Sequence, residues 1–166
     1  MRCALAQINS TVGDLAGNSA RIAEFARRAA AGGAEIVIFP ELALTGYPPR
    51  DLLEKQSFIE RAERQLQELA AETAALPPAI ITGAISQAEP GEGNRLYNSA
   101  AVLSRGSVVF RQHKMLLPTY DVFDEARYFR PADSQSPFVW QNRPAGHVIC
   151  EDAWNDKHCS ERGRYR

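Results

Sequence analysis

Three residues of different chemistry follow apolar runs in this 166-residue sequence. Glu41 follows IVIFP, Lys114 follows VVFRQH, and Cys150 follows HVI. A thiolate can attack a carbonyl or nitrile carbon, a carboxylate can accept the thiol proton, and an ammonium can stabilise the negative charge that develops. Brought together, the three would form a nucleophile with its own activator.

The residues next to Cys150 raise a question of charge, because Glu151 and Asp152 follow it directly and carboxylates oppose a thiolate. A reactive cysteine needs a pKa below the usual value of about 8.5. At an effective dielectric of about 20, a carboxylate about 5 Å away opposes the thiolate by about 3 kcal/mol, whereas an ammonium about 4 Å away favours it by about 4 kcal/mol. We therefore expect Lys114 to offset one carboxylate. We also expect Glu151 to point away from Cys150 if a strand continues through it.

Each of the three residues also has a plainer interpretation. Lys114 could extend its ammonium to water from a strand end, Glu41 could be a solvated loop residue, and Cys150 could be a buried, inert thiol. Alternation along VVFRQHK, however, places Lys114 on the face with the larger apolar side chains, where its charge needs a partner. Glu41, at the carboxyl end of a buried strand, is suitably placed to be that partner.

A metal site is a different hypothesis for some of the same residues. His147, Cys150, His158 and Cys159 are all potential zinc ligands. Adjacent His158 and Cys159 cannot easily converge on one ion, however, and no paired C-x-x-C spacing is present. The sequence therefore favours a site without a metal.

A cysteine–histidine enzyme would use His113 or His147 as its base. Strand alternation places His113 on the face opposite Lys114, and His147 on the face opposite Cys150, so neither is well placed. The glycines of EPGEGN have neither the lysine nor the helix of a phosphate-binding loop behind them. These alternatives are weaker than the Glu–Lys–Cys arrangement.

Strands are predicted at CALAQIN, IVIF and AIITGAIS, and at a further run that ends at Cys150. The runs LYNSAAVL and VVFRQHKML predict a hairpin across SRGS. Helical spacing predicts one helix capped by Asn18 and Ser19, and a second with a capping box from Ser57 to Glu60. The order strand, helix, strand, helix, strand and meander predicts an α/β layered domain with a mixed sheet.

The composition excludes several classes of protein. The content is 45% hydrophobic and 23% charged, with a formal net charge of -1, which is ordinary for a globular domain and not that of a nucleic-acid binder. No apolar run is long enough to span a bilayer, and the N-terminus lacks the layout of a signal peptide. Three cysteines are too few for a disulfide scaffold and indicate a reducing compartment, so we expect a cytoplasmic protein.

The end of the sequence is unusual. After Trp154 it reads NDKHCSERGRYR, without apolar periodicity. No helix follows to cover the strand predicted before Cys150, which favours a domain that is incomplete at its C-terminus. We predict a partial catalytic domain over residues 1–155 and an atypical polar tail over residues 156–166.

Three blocks around these residues resemble the nitrilase superfamily of carbon–nitrogen hydrolases, which uses a Glu–Lys–Cys triad in this chain order. The blocks are FPELALTGYPPRDLL, HKMLLPTYDVFDEARYF and VICEDAW. Within the superfamily, PELALTGYPPRDLL and LPTYDVFDEARYF are similar to the amino-terminal glutaminase domain of the glutamine-dependent NAD synthetase family. The resemblance implies an α-β-β-α sandwich.

The resemblance also implies a role for each matching residue. Cys150 would attack the side-chain amide of glutamine, Glu41 would be the general base, and Lys114 would stabilise the oxyanion together with a backbone N–H. Glu125 matches a second glutamate that holds the lysine and positions the substrate. The positions lining the glutamine pocket are matched by Tyr120 and Phe123.

Further implications concern partners and cofactors. The family needs no cofactor for the glutaminase step. Its ammonia passes to a synthetase domain that uses ATP and magnesium to convert nicotinic acid adenine dinucleotide to NAD, and no Ser-Gly-Gly-x-Asp-Ser loop of such a domain occurs in this sequence. The family also implies a homo-oligomer. The alternatives are an inactive fragment and a stand-alone amidase or nitrilase acting on another compound.

Overall fold

A mixed five-stranded sheet forms the centre of the computed structural model, which describes residues 1–89, 94–121 and 123–154. Its strands are β1 (Cys3–Leu5), β2 (Ile36–Ile38), β3 (Ala79–Gln87), β4 (Leu96–Ser104) and β5 (Ser107–His113), which neighbour one another in chain order. The pairs β1–β2 and β2–β3 are parallel, and β3–β4 and β4–β5 are antiparallel. The predicted α/β layers, mixed sheet and hairpin are confirmed.

Two helices cover one face of this sheet, α1 (Leu15–Ala31) and α2 (Gln56–Glu72). Because strand side chains alternate, Val37 and Ile80 pack with the helices, whereas Ile36 and Ile81 belong to a second apolar cluster on the other face. An antiparallel pair, β6 (Phe138–Trp140) and β7 (Arg143–Ala145), contributes to that second cluster. The central strands are therefore buried on both faces, as their continuous apolar runs predict.

Both helices begin before the predicted positions. The cap of α1 is Asp14, whose carboxylate accepts a hydrogen bond from the Gly17 backbone N–H at 3.0 Å, and not Asn18 or Ser19. Lys55 precedes α2 without a side-chain cap, so the predicted capping box from Ser57 to Glu60 is wrong. The first strand is also shorter than CALAQIN, since it ends at Leu5.

The strand predicted to end at Cys150 is absent from the described residues. A short 3-10 helix, Cys150–Ala153, begins at the cysteine, and the φ angle of Cys150 is 46°. This left-handed conformation is uncommon for a residue with a side chain and breaks strand alternation at that point. The expectation that alternation turns Glu151 away from Cys150 therefore loses its basis.

No helix within the described ranges is long and apolar enough to cross a membrane. The predicted tail over residues 156–166, with His158 and Cys159, lies outside the described residues. Gly91 and Gly93 of the EPGEGN loop also lie outside them.

Candidate active site

Lys114 lies at the centre of a buried ionic cluster just after β5. Its Nζ lies 2.6 Å from Glu41 Oε1 and 3.0 Å from both Oε1 and Oε2 of Glu125. The Lys114 side chain is 0% exposed, and the side chains of Glu41 and Glu125 are 18% and 3% exposed. The structure therefore brings together three of the predicted residues, and Lys114 does not extend its charge to water.

The pKa values in the cluster follow from burial and from mutual charge. Burial alone would lower the pKa of Lys114, but the Glu41 and Glu125 carboxylates together outweigh it and raise that pKa above its ordinary value. Burial raises the pKa of Glu125, against the opposing effect of the Lys114 ammonium. Lys114 is thus held as an ammonium, which is the form that can stabilise an oxyanion.

Two further residues complete the cluster. Asn98 on β4 donates from Nδ2 to Glu41 Oε1 at 2.6 Å and has a longer contact of 3.4 Å with Glu125 Oε2. Tyr47 donates its hydroxyl proton to Glu125 Oε1 at 2.9 Å. Burial, followed by the Glu125 charge, raises the pKa of Tyr47, so its hydroxyl stays protonated and able to donate. Each carboxylate therefore has a neutral donor as well as the ammonium.

The loop after β2 fixes Glu41 by a close approach to β3. A Cβ added at Gly83 would lie 2.0 Å from the Leu42 backbone nitrogen and 2.6 Å from the Glu41 carbonyl carbon, so only glycine leaves room for the loop. Leu44 N–H donates to Gly83 O at 3.1 Å. The buried Asn18 side chain donates to the carbonyl oxygens of Leu44, at 3.0 Å, and Thr11, at 2.8 Å. This network holds the backbone that carries Glu41.

Cys150 lies beside this cluster. With Glu41 it lines a cavity of about 120 Å³, to which Pro40, Gly83, Ser99 and His147 also contribute. The Glu41 carboxylate is close enough to the thiol for its charge to raise the thiol pKa. All three residues of the predicted triad therefore meet at one place in the fold.

The pKa of Cys150 is not lowered, as a preformed thiolate would require. Cys150 is exposed, but partial desolvation of its thiol, followed by the Glu41 charge, raises the pKa above its ordinary value, and the opposing effect of Lys114 is smaller. The carboxylates that contribute to this rise in pKa are those of Glu41 and Glu125, and not those of the sequence neighbours Glu151 and Asp152. The resting group is a thiol that can pass its proton to Glu41, and not a preformed thiolate.

An aromatic row extends outward from the cluster. Tyr47 and Phe123 have ring centroids 6.3 Å apart, and Phe123 and Tyr120 have centroids 5.4 Å apart in an edge-to-face arrangement. Tyr120 is 57% exposed, and its hydroxyl donates to Glu151 Oε2 at 2.9 Å. Tyr120 is thus placed beside the residue that follows Cys150, and Phe123 contacts both Tyr120 and Tyr47.

The two histidines considered as bases differ in their surroundings. His113 Nδ1 lies 2.7 Å from Ser99 Oγ, and its ring stacks on Tyr97 with centroids 4.2 Å apart. His147 lines the cavity of Cys150, and neither ring nitrogen has a hydrogen-bond partner among the described residues. Burial lowers the pKa of both rings. Over the described part of the chain, no group of three or more His, Cys, Asp or Glu residues is placed to hold a metal ion.

Comparison with known proteins identifies the class of protein. The sequence profile of the carbon–nitrogen hydrolase family matches residues 2–159, and the chain belongs to that family. Its similar relatives include the glutamine-dependent NAD(+) synthetases of Synechocystis sp. and Thermotoga maritima, which are 46% and 39% identical over 159 and 155 residues. Each match covers 93% of this chain but only 28% and 26% of the relative's length.

Solved structures support the same fold. The glutamine-dependent NAD+ synthetase of Acinetobacter baumannii, solved with ADP, superposes with a TM-score of 0.83 at 33% identity, over 96% of this chain and 29% of that one. An amidase from Nesterenkonia sp. superposes with a TM-score of 0.72 at 24% identity, over 92% of this chain and 56% of that one, and this likeness shows the fold alone. The predicted nitrilase-like α/β fold is confirmed.

Sequence reasoning missed Asn98 and Tyr47. Asn98 was visible only as a polar residue inside the apolar run LYNSAAVL, and Tyr47 as an aromatic residue in a loop rich in glycine and proline. Asp152 was considered only as an unfavourable charge near Cys150. A buried amide in a strand was the available signal, because such a group needs a polar partner.

Proposed function

We propose that this chain hydrolyses the side-chain amide of glutamine, with Cys150 as nucleophile, Glu41 as general base and Lys114 as oxyanion stabiliser. The observation that carries the proposal is the buried Lys114 ammonium, which lies between Glu41 and Glu125 beside Cys150. An isolated buried charge is costly, so a lysine held at this place by two carboxylates is better explained by chemistry than by stability.

The reaction follows from these positions. The Cys150 sulfur forms a bond to the amide carbon while its proton moves to Glu41, and the carbonyl oxygen takes negative charge beside the Lys114 ammonium. The carbon–nitrogen bond then breaks, and the proton on Glu41 leaves with the ammonia. Glu41 next takes a proton from water, which attacks the thioester and releases glutamate and the free thiol. The raised pKa of Cys150 fits this sequence, because the thiol gives up its proton only during attack.

The glutamine specificity rests on the aromatic row and on Glu125. An ionised Glu125 could accept a hydrogen bond from the substrate, and Tyr120 with Phe123 would line the path to Cys150. The names of the relatives support glutamine as the amide. The proposal extends to delivery of the ammonia to a synthetase domain that uses ATP and magnesium to make NAD from nicotinic acid adenine dinucleotide, in a cytoplasmic homo-oligomer.

The direct test is glutamine hydrolysis by this chain, with glutamate and ammonia measured separately. Cys150→Ala should abolish both products, and Cys3→Ser, which changes another exposed free cysteine, should leave the rate unchanged. In a chain joined to a synthetase domain, Cys150→Ala should spare NAD synthesis from added ammonia. Hydrolysis that survives Cys150→Ala would contradict the triad. Turnover of simple aliphatic amides without turnover of glutamine would indicate a stand-alone amidase, and no turnover of either would indicate an inactive fragment.

A further inference from the structure

Asp152 joins two separate parts of the candidate site. It lies two residues after Cys150, and it is buried, with 3% of its surface exposed. Its Oδ1 accepts hydrogen bonds from the backbone N–H groups of Met115, at 3.1 Å, and Leu116, at 2.8 Å. These are the first two residues after Lys114. One carboxylate oxygen therefore connects the segment of the nucleophile to the segment of the ammonium.

The second oxygen of Asp152 stabilises its own turn. Oδ2 accepts from the Ile149 backbone N–H at 3.4 Å and from Gln135 Nε2 at 3.2 Å. Ile149 directly precedes Cys150, whose left-handed φ of 46° needs support from its surroundings. The carboxylate thus holds the backbone on both sides of the cysteine, from Ile149 to its own position.

We propose that Asp152 is a positioning residue that sets the separation and orientation of the Cys150 sulfur relative to the Lys114 ammonium. This inference rests on the proposed function. Asp152 does not act on the substrate, but it fixes two loops that no strand pairing among the described residues holds together. A displacement of about 1 Å in an active site can reduce the rate about 100-fold, so the loss of this link should reduce reactivity without removing either reacting group.

The most informative variant for testing the Asp152 link is Asp152→Asn, because it keeps the shape of the side chain. One amide oxygen can still accept from Met115 and Leu116, but the NH₂ group then faces the Ile149 N–H and the Gln135 amide, which are donors themselves. The matched control is Asp133→Asn, which makes the same chemical change at an exposed carboxylate in the loop before β6.

The readout compares two reagents for Cys150 in the complete 166-residue chain. A diazoketone analogue of glutamine must first fill the site, and a new carbon–sulfur bond then replaces the carbon–nitrogen bond as N₂ leaves and the thiol proton passes to that carbon. Iodoacetamide needs only access to the thiol. We expect Asp152→Asn to slow labelling by the diazoketone about tenfold or more, to change labelling by iodoacetamide by less than about threefold, and to lower kcat for glutamine more than it changes KM. The control should match the unaltered chain in every readout.

Equal labelling of Asp152→Asn and the unaltered chain by the diazoketone would overturn this inference and leave the proposed function intact. Failure of the unaltered chain to react would overturn the proposed function and the inference with it. If Asp152→Asn does not fold, as judged by circular dichroism, Gln135→Met removes only one donor to the carboxylate. It should slow diazoketone labelling about two- to threefold, and an unchanged rate would again overturn the inference.

Discussion

Two ion pairs of nearly equal length lie in opposite surroundings in this molecule. Arg27 and Glu72 join α1 to α2 at 2.5 Å with side chains 52% and 47% exposed. Lys114 Nζ and Glu41 Oε1 are 2.6 Å apart, and these side chains are 0% and 18% exposed. Water screens the first pair, and the second has only its neighbours to stabilise its charges. The comparison teaches that distance alone says little about what an ion pair does.

The surface pair can form wherever two flexible side chains meet. The buried pair needs a second carboxylate from Glu125, donors from Asn98 and Tyr47, and a glycine at position 83 that admits the Glu41 loop. Such an arrangement is a poor means of gaining stability, because well-packed apolar residues of similar volume often serve as well or better. It is a suitable means of holding an ammonium beside a thiol.

The largest effect should come from Lys114→Met, which removes the cation from the buried cluster. Glu41 and Glu125 would then face each other without a positive charge, so we expect the free energy of unfolding to fall by about 3–5 kcal/mol, together with loss of glutamine hydrolysis. Urea denaturation followed by circular dichroism measures the first effect. An unfolding free energy within about 1 kcal/mol of the unaltered chain would show that burial does not distinguish the two ion pairs.

A smaller effect on stability, with a distinctive effect on chemistry, should come from Glu41→Gln. Lys114 keeps Glu125 as its partner, but glutamine hydrolysis should fall about 100-fold or more, because the general base is gone. Partial desolvation and then the Glu41 charge raise the pKa of Cys150, so removing that charge lowers the thiol pKa. Each unit by which that pKa falls gives about ten times more thiolate at neutral pH.

The thiol of Glu41→Gln should therefore react faster with iodoacetamide at neutral pH, although the chain no longer hydrolyses glutamine. The rate constant for alkylation, measured across pH by intact mass, should have its midpoint at lower pH than in the unaltered chain. Replacing Cys3 and Cys159 by serine in both backgrounds removes the other two cysteines of the sequence as sources of signal. A midpoint at higher pH would mean that Glu41 does not face the sulfur.

The smallest effect should come from Arg27→Met, the matched removal of a cation from the surface pair. Glu72 is left half exposed to water, so we expect the free energy of unfolding to change by about 0–1 kcal/mol and glutamine hydrolysis to stay unchanged. Urea denaturation followed by circular dichroism measures the change in the free energy of unfolding. A loss as large as that of Lys114→Met would remove the contrast between the two pairs.

Much of the fold could be predicted from the sequence because the central strands are buried on both faces and read as apolar runs. The structure of the segment before Cys150 could not be predicted, because its short apolar run HVI is followed by a left-handed residue, Cys150, that begins a 3-10 helix. The start of α1 was misplaced because Asn18, a good capping residue, instead holds the Glu41 loop from inside the helix.

The candidate site, like the fold, could be predicted from the sequence only in part. Strand alternation predicted that Lys114 is buried, and the need to neutralise it predicted Glu41 as a partner. The direction of the Cys150 pKa shift could not be predicted, because the sequence shows neither how far the thiol is desolvated nor how close Glu41 lies to it. The roles proposed for Tyr120, Phe123 and Glu125 came from resemblance, and they stay predictions.

The most direct test of the central claim is an intact-mass spectrum of the chain after incubation with the diazoketone analogue of glutamine. We predict a single adduct on the unaltered chain and none on Cys150→Ala, because the analogue reacts only where Lys114 and Glu41 meet Cys150. Iodoacetamide serves as the reference for simple access to the thiol. An unaltered chain whose Cys150 reacts with iodoacetamide but never with the analogue would contradict the claim that these residues form a glutamine-hydrolysing site.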